Sequence, residues 1–354
     1  MNRAVKAAIG TAVTGLAAVS LAACGTVAAP ADPVPGAEGA QTALTWAAPE
    51  GLTGSLTLYA ANPQGLNTAL LEEFTELTGV PVEVFADTTG KITAKLDAEW
   101  ENPQADVVYI ASWSPAAAYA AEGRLLDFES KFAGTLPADW VGDGFAGRDG
   151  SALVLVVNTN VAAETPADWS DLTGPAFTDQ VIMPDPRESG TARDLIAAML
   201  AAWGEDATWQ LFDDLFANGL VVQGANGPAL DDVVAGSHAV VMGGVDYSAY
   251  SAIDKGEALT TVAPASGTTV SPRPVFILKE AQNPDAAKAL VDFFFSQQGQ
   301  EISAKFNMIP AQSAVAPKAG NAGLDDVVLL DYSIEEIAST GKAALEAFVT
   351  RYLG

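Results

Sequence analysis

The sequence predicts an α/β fold divided into two lobes, and three observations carry that reading. β-type runs alternate with helix-spaced runs over short links from about residue 55 to 111, an order that requires a parallel sheet covered by helices. The same alternation begins again after about residue 150. At 354 residues and 49% hydrophobic, the chain is long and apolar enough for two domains with cores of their own.

In chain order, "SLTLYAAN" opens the folded body as a strand. In "PQGLNTALLEEFTELTG", Leu66, Leu70, Phe74 and Leu77 recur at helical spacing and Gly79 ends the helix. "VPVEVFAD" is a second strand, and "TTGKITAKLDAEW" a helix with Ile92, Leu96 and Trp100 on one face. "ADVVYIAS" is the third strand. Farther on, "SALVLVVNTN" and "QVIMPD" are strands, "GTARDLIAAMLAAW" and "ATWQLFDDLFANG" helices, and "SHAVVMGGVDY" a strand. "TTVAPASGTTVSPRPVFILK" runs extended. "NPDAAKALVDFFFSQQGQEIS" is a helix with Asn283 as its cap and Pro284 at the first helical position. A last helix runs from about Ser333 to Leu353, and no repeat at solenoid spacing is present.

The first 23 residues hold Arg3 and Lys6, no acid, and an uncharged stretch from Ala7 to Ala23, the form of a secretory signal peptide. The pattern Leu21-Ala22-Ala23-Cys24-Gly25 resembles the bacterial lipobox. That resemblance implies that Cys24, the sole cysteine, becomes the first mature residue and carries the lipid. A retained transmembrane helix is the other reading, but the run falls short of the ~20 residues a span needs and is rich in Ala, Gly and Thr. Residues 24–54 then comprise the lipidated cysteine and a flexible linker, marked by Pro30, Pro33, Pro35 and Pro49.

With 17 basic against 44 acidic residues, the formal net charge of −27 makes nucleic acid and anionic lipid surfaces poor partners. The single histidine, His238, and the lack of a G-x-S-x-G elbow or a His/Glu zinc motif argue that the protein is not an enzyme. "TTGKIT" is not a nucleotide phosphate loop, because the first glycine of that motif would fall at Phe85 and Ile92 stands where Ser or Thr is needed.

"LTLYAAN", "FTELTGVPVEV", "TTGKITAKL", "ADVVYIAS", "PDPRESGT", "NPDAAKALVDFFFSQQGQE" and "MIPAQSAV", in that order, make the body resemble a solute-binding protein of bacterial ABC importers. The resemblance is to the type 2 periplasmic-binding-protein fold, in the branch holding ferric-iron-binding and 2-aminoethylphosphonate-binding proteins. It implies two lobes joined by a hinge, with a ligand cleft between them. Lobe 1 would be discontinuous, residues 50–150 plus 265–354, and lobe 2 would be residues 151–264, with "SALVLVVNTN" and "TTVAPASGTTV" as the crossings. The implied function is an exported, lipid-anchored receptor in the cell envelope, acting as a monomer and delivering its cargo to a permease and ATPase complex. No cofactor is expected; ferric ion enters only as cargo.

Ligands of open α/β sheets collect where strands end and helices begin. The candidates there are Asn62; Thr88, Thr89 and Gly90; Ser112; and Ser189, Gly190 and Thr191. Hydroxyls and unpaired N–H groups at a helix start suit an anion. Each position also has a purely structural reading as a turn residue or helix cap. Lys91, Arg187 and Arg193 could add charge or simply face solvent. The resemblance suggests that the other wall is "GGVDYSAY", where the iron binders carry paired tyrosines. Here Tyr247 has no adjacent partner, and Tyr250 needs a turn to join it. Asp246 would suit the amine of a zwitterion, so the leading reading is a 2-aminoethylphosphonate-like phosphonate or phosphate. Ferric iron with a synergistic anion, held by Tyr247, Tyr250 and Asp246, is the alternative.

Overall fold

The computed structural model describes residues 44–354; the predicted signal peptide, Cys24 and most of the linker lie outside the described residues. β1 (Leu56–Ala60), α1 (Gln64–Thr78), β2 (Val82–Ala86), α2 (Thr89–Ala98), β3 (Val107–Tyr109) and α3 (Trp113–Ala121) come first. β4 (Val141–Gly142) and the long β5 (Phe145–Asn158) follow. Next are β6 (Val181–Met183), α4 (Gly190–Ala217), β7 (Val221–Val222), α5 (Asn226–Val234), β8 (Val240–Val245), α6 (Asp246–Asp254) and β9 (Leu259–Val262). β10 (Val270–Ile277), α7 (Pro284–Phe295), α8 (Gln297–Lys305), β11 (Ile309–Pro310) and α9 (Ile334–Tyr352) complete the chain. Among the described residues, no helix is long and apolar enough to cross a membrane.

The strands run in the order β2-β1-β3-β10-β5-β8-β6-β7. All fourteen residues of β5 are buried, as expected of a strand covered on both faces. Its first part pairs antiparallel with β10, from Phe145↔Phe276 to Ala152↔Val270. From Leu153 onward it pairs instead with β8 and β9. The polarity of the sheet follows from these pairings. β1, β2 and β3 are mutually parallel and β10 is antiparallel to both β3 and β5, so the first three strands run with β5. β6 and β7 run with β8, against β5. The carboxyl ends of β1–β3 in one lobe therefore face those of β6–β8 in the other.

Several elements differ from the sequence reading. α2 ends at Ala98, and Trp100 lies beyond it under the Arg124 guanidinium, 4.0 Å from the ring centre. Asn283 does not cap α7 with its side chain; its amide nitrogen donates to the Thr53 carbonyl at 2.7 Å. The expected single helix there is two, because Ser296 starts α8 by accepting from the Gly299 N–H. α4 is continuous except at Gly204, whose φ of 77° and ψ of 174° separate its two helical stretches. "VDYSAY" is not the end of a strand, since β8 stops at Val245 and Asp246 opens α6.

The last helix touches both lobes. Gly341 lies so close to α3 that a β-carbon on it would stand 2.8 Å from the Ser114 β-carbon. Toward its other end, Phe348 meets Phe212 of α4 edge-on at 5.1 Å, and Tyr352 stacks on Phe216 at 4.4 Å. Phe348 is fully buried, so Phe348→Ala is expected to cost about 3–5 kcal/mol of stability, read from the denaturation midpoint.

Candidate functional site

Between the lobes lies a cleft of about 440 Å³ lined by residues 61–63, 86–89, 111, 188–190, 225–227 and 247–248. Each segment immediately precedes or opens a helix, namely α1, α2, α3, α4, α5 and α6 in turn. This follows from the facing carboxyl ends of the strands. Helix N-termini present N–H groups that have no partner within the helix and carry a partial positive charge of roughly +0.5. A cleft built of such termini favours an anion, whatever the net charge of the chain.

Of the sequence-predicted residues, Asn62, Thr88, Thr89, Ser189, Gly190 and Tyr247 line this cleft. Thr88 is the N-cap of α2, its hydroxyl accepting from the Lys91 N–H at 3.4 Å. Thr89 Oγ1 accepts from the Ala111 N–H at 3.1 Å. Ser189 caps α4 through the Ala192 N–H (3.1 Å) and donates to Asn226 Oδ1 (2.9 Å). Asn62 is held at both ends of its amide: Oδ1 accepts from Arg273 Nη2 at 2.6 Å and Nδ2 donates to Asn67 Oδ1 at 2.9 Å.

Gly90, Ser112, Thr191, Asp246 and Tyr250 are absent from the cleft wall, each for a local reason. Gly90 is where the lobes meet. Its N–H donates to the Glu188 carbonyl at 3.3 Å, and a β-carbon on it would stand 2.0 Å from the Arg187 carbonyl oxygen. Gly190 meets the first lobe in the same way, since a β-carbon there would stand 2.4 Å from the Ala111 carbonyl oxygen. These glycines admit the opposing backbone. Ser112 is fully buried and donates to Asp194 Oδ1 at 2.7 Å. Ser271 on β10 donates to Asp194 Oδ2 at 2.6 Å, so this carboxylate on α4 ties the second lobe to two elements of the first. Burial pushes the Asp194 carboxyl up to about 6, against the hydrogen bonds from Ser271 and Ser112. The Thr191 hydroxyl accepts from Asn226 Nδ2 at 3.0 Å behind the wall. Tyr250 lies three residues after Tyr247 on α6, not beside it.

Asp246 is 1% exposed. Its Oδ1 accepts from the Tyr247 N–H at 2.8 Å, while Oδ2 has no hydrogen-bond partner among the described residues. Burial pushes its carboxyl up to about 7. The carboxylates at the cleft are instead Asp87 and Glu188. Asp87 is engaged by Lys91 at 3.1 Å. Arg187 is turned onto Asp185, Arg193 is buried, and His238 bonds Asp232 away from the cleft.

The sequence reading missed Asn226, Ser248, Asp194 and Arg273. Arg273 left the clearest trace: an arginine inside the apolar run "SPRPVFIL" must be buried if that run is a central strand. It is fully buried, donates from Nη2 to the Ala61 carbonyl (2.7 Å) as well as to Asn62, and lies 5.3 Å from the centre of the Tyr247 ring.

A two-lobed α/β body with a polar cleft at facing strand ends is the architecture of a solute-binding protein. The sequence pattern of the bacterial extracellular solute-binding protein family matches residues 103–340, and the chain belongs to that family. It is 30% identical over 265 residues to an uncharacterised protein of Haemophilus influenzae, covering 71% of this chain and 76% of that one. A putative 2-aminoethylphosphonate-binding periplasmic protein of Salmonella typhi is 24% identical over 303 residues, 79% of this chain and 85% of the other. Among solved structures, the periplasmic binding protein AfuA of Actinobacillus pleuropneumoniae with bound fructose 6-phosphate superposes with a TM-score of 0.78 at 25% identity. The match covers 84% of this chain and 98% of AfuA.

The buried Asp246 gives a pH test. Its folded-state value of about 7 lies above the ordinary 3.8, so the folded chain keeps a proton that the unfolded chain releases. Stability from this group is therefore full below about pH 4 and falls as pH rises to about 7. Asp246→Asn retains an acceptor for the Tyr247 N–H and has no proton to lose. At pH 8 it is expected to be more stable than the parent by a few kcal/mol, since a tenfold difference in proton affinity corresponds to about 1.4 kcal/mol. That advantage should shrink toward pH 4, as measured by denaturant titration at each pH.

Proposed function

We propose that the protein is the extracytoplasmic receptor of an ABC importer for a small phosphonate or phosphate ester, held in the interlobe cleft and handed to a permease and ATPase complex. The observation that carries this reading is the convergence of six helix starts on one cleft, with Thr88 from one lobe opposite Ser189 and Asn226 from the other. A phosphoryl group offers several oxygens to such N–H and hydroxyl donors at once. Glu188, also at the cleft, suits the ammonium end of a 2-aminoethylphosphonate-like zwitterion. The names of the Salmonella relative and of the ligand bound to AfuA support the same class.

In this reading the protein binds and releases without covalent chemistry. The lobes rotate about the point where β5 changes partners and about the link from β9 to β10, which divides the chain into 50–150 plus 265–354 and 151–264. The chain is exported by its signal sequence, anchored through a lipid on Cys24 and acts as a monomer. Ferric iron is the second reading, favoured by Tyr247, Asp87 and Glu188, three oxygen-bearing side chains on one cleft.

Thermal-shift titration with 2-aminoethylphosphonate, inorganic phosphate, fructose 6-phosphate and a ferric salt separates these readings. A phosphoryl ligand at a hundred times its Kd should stabilise the chain by about 2.7 kcal/mol. Stabilisation by none of the phosphoryl compounds would sink the main reading, and a visible tyrosinate band on ferric loading would establish the second. Gly90→Ala, which forbids the contact with Arg187, is expected to weaken binding of the stabilising ligand at least about tenfold.

A further inference from the structure

Asn62 and Tyr247 line opposite sides of the cleft, and one guanidinium stands behind both. We propose that Arg273 is the positioning residue and charge source that makes the cleft prefer a doubly charged anionic head group over a singly charged one of the same shape. This inference rests on the phosphoryl reading above and goes beyond it in assigning the discrimination to a residue outside the cleft wall.

Arg273 has no carboxylate in hydrogen-bond contact with it. Its neighbouring carboxylate, Asp149, lies 3.8 Å from Nε, and that same carboxylate is paired with Arg148 and accepts the Tyr109 hydroxyl at 2.5 Å. Two fully buried guanidiniums thus share one carboxylate. Arg273 Nε, and Arg148 Nε and Nη1, have no hydrogen-bond partner among the described residues. Asp246 also acts on Arg273 through space, and above about pH 7, where it ionises, it is the second carboxylate facing the two guanidiniums. The remaining partners of Arg273 are neutral: the Ala61 carbonyl, Asn62 Oδ1, and Met308 Sδ at 3.0 Å. An arginine cannot shed its proton to escape this situation. Its charge is held away from water, and its field is screened far less than that of a surface charge.

Asn62 carries the effect into the cleft. Because Oδ1 is committed to the guanidinium, the end of this amide left for donation is Nδ2, and Asn67 takes one of its two N–H groups. The other is left to donate to a ligand, polarised by the cation behind it. A cation that merely held the fold together would be matched by its own carboxylate, and would change the affinity for two isosteric anions equally.

The test is titration calorimetry at pH 8 with whichever phosphoryl compound stabilises the chain, 2-aminoethylphosphonate or fructose 6-phosphate. It is run beside the counterpart of the same skeleton whose head group carries one negative charge instead of two, taurine or fructose 6-sulfate. Arg273→Gln is expected to lose about tenfold or more in phosphoryl affinity while the sulfo compound loses less, so that the preference narrows. Equal losses, or no loss, in a folded variant overturn the inference alone. Should Arg273→Gln fail to fold, Asp246→Asn supplies the converse: removing the opposing carboxylate should widen the preference, and an unchanged or narrower one overturns the inference. Binding of neither compound by the parent chain overturns the phosphoryl reading and this inference with it.

Discussion

One strand serves two half-sheets, and the rest of the molecule is arranged around that constraint. β5 gives its first residues to β10 and, from Leu153 onward, gives its backbone to β8 and β9. Because β1–β3 run with β5 and β6–β8 run against it, two sets of carboxyl ends confront each other at the place where β5 changes partners. Helices must start there, since every strand on that side leads into one. The cleft is therefore a consequence of strand polarity, and its donors are chiefly backbone groups whose direction the helices fix.

A chain of net charge −27 can build an anion site because distant charges on a wetted surface are screened within about a Debye length. Charges and dipoles at the cleft are not. The same junction also governs how the lobes touch. Gly90 and Gly190 let backbone approach backbone, while Asp194 gathers Ser112 and Ser271 onto α4. Cleft-lining residues and lobe-contact residues alternate along the same short loops.

That alternation explains what was legible in the sequence. Strand and helix order could be read from apolar spacing, and with it the loops that reach the cleft. Which residue in each loop faces the cavity could not, because adjacent residues point to different neighbours. Thr88 lines the cleft beside Gly90, which meets the other lobe, and Ser189 stands beside Thr191, which turns back to Asn226. α5 escaped notice because "NGP" resembles a turn, although Pro228 sits in the first helical turn, where its missing N–H costs nothing. Asp246 was read as a strand end because "GGVDY" carries no apolar period that could separate a strand from a helix start. Ser112 and Asp194 find each other across 82 positions of sequence, a pairing that no local pattern encodes.

The final helix adds a mechanical element. Near its middle it sits at Gly341 against the Ser114 side chain of α3, and near its end it lies on α4 through the flat faces of Phe216 and Tyr352. A rotation about β5 cannot leave both contacts undisturbed. The α4 end is pinned as well as stacked, since the Tyr352 hydroxyl donates to Asp213 Oδ1 at 2.7 Å and Phe348 is fully buried against Phe212. α9 is thus a second connection between the lobes, lying outside the β5 crossing, and any change in the angle between them has to strain one of its two contacts.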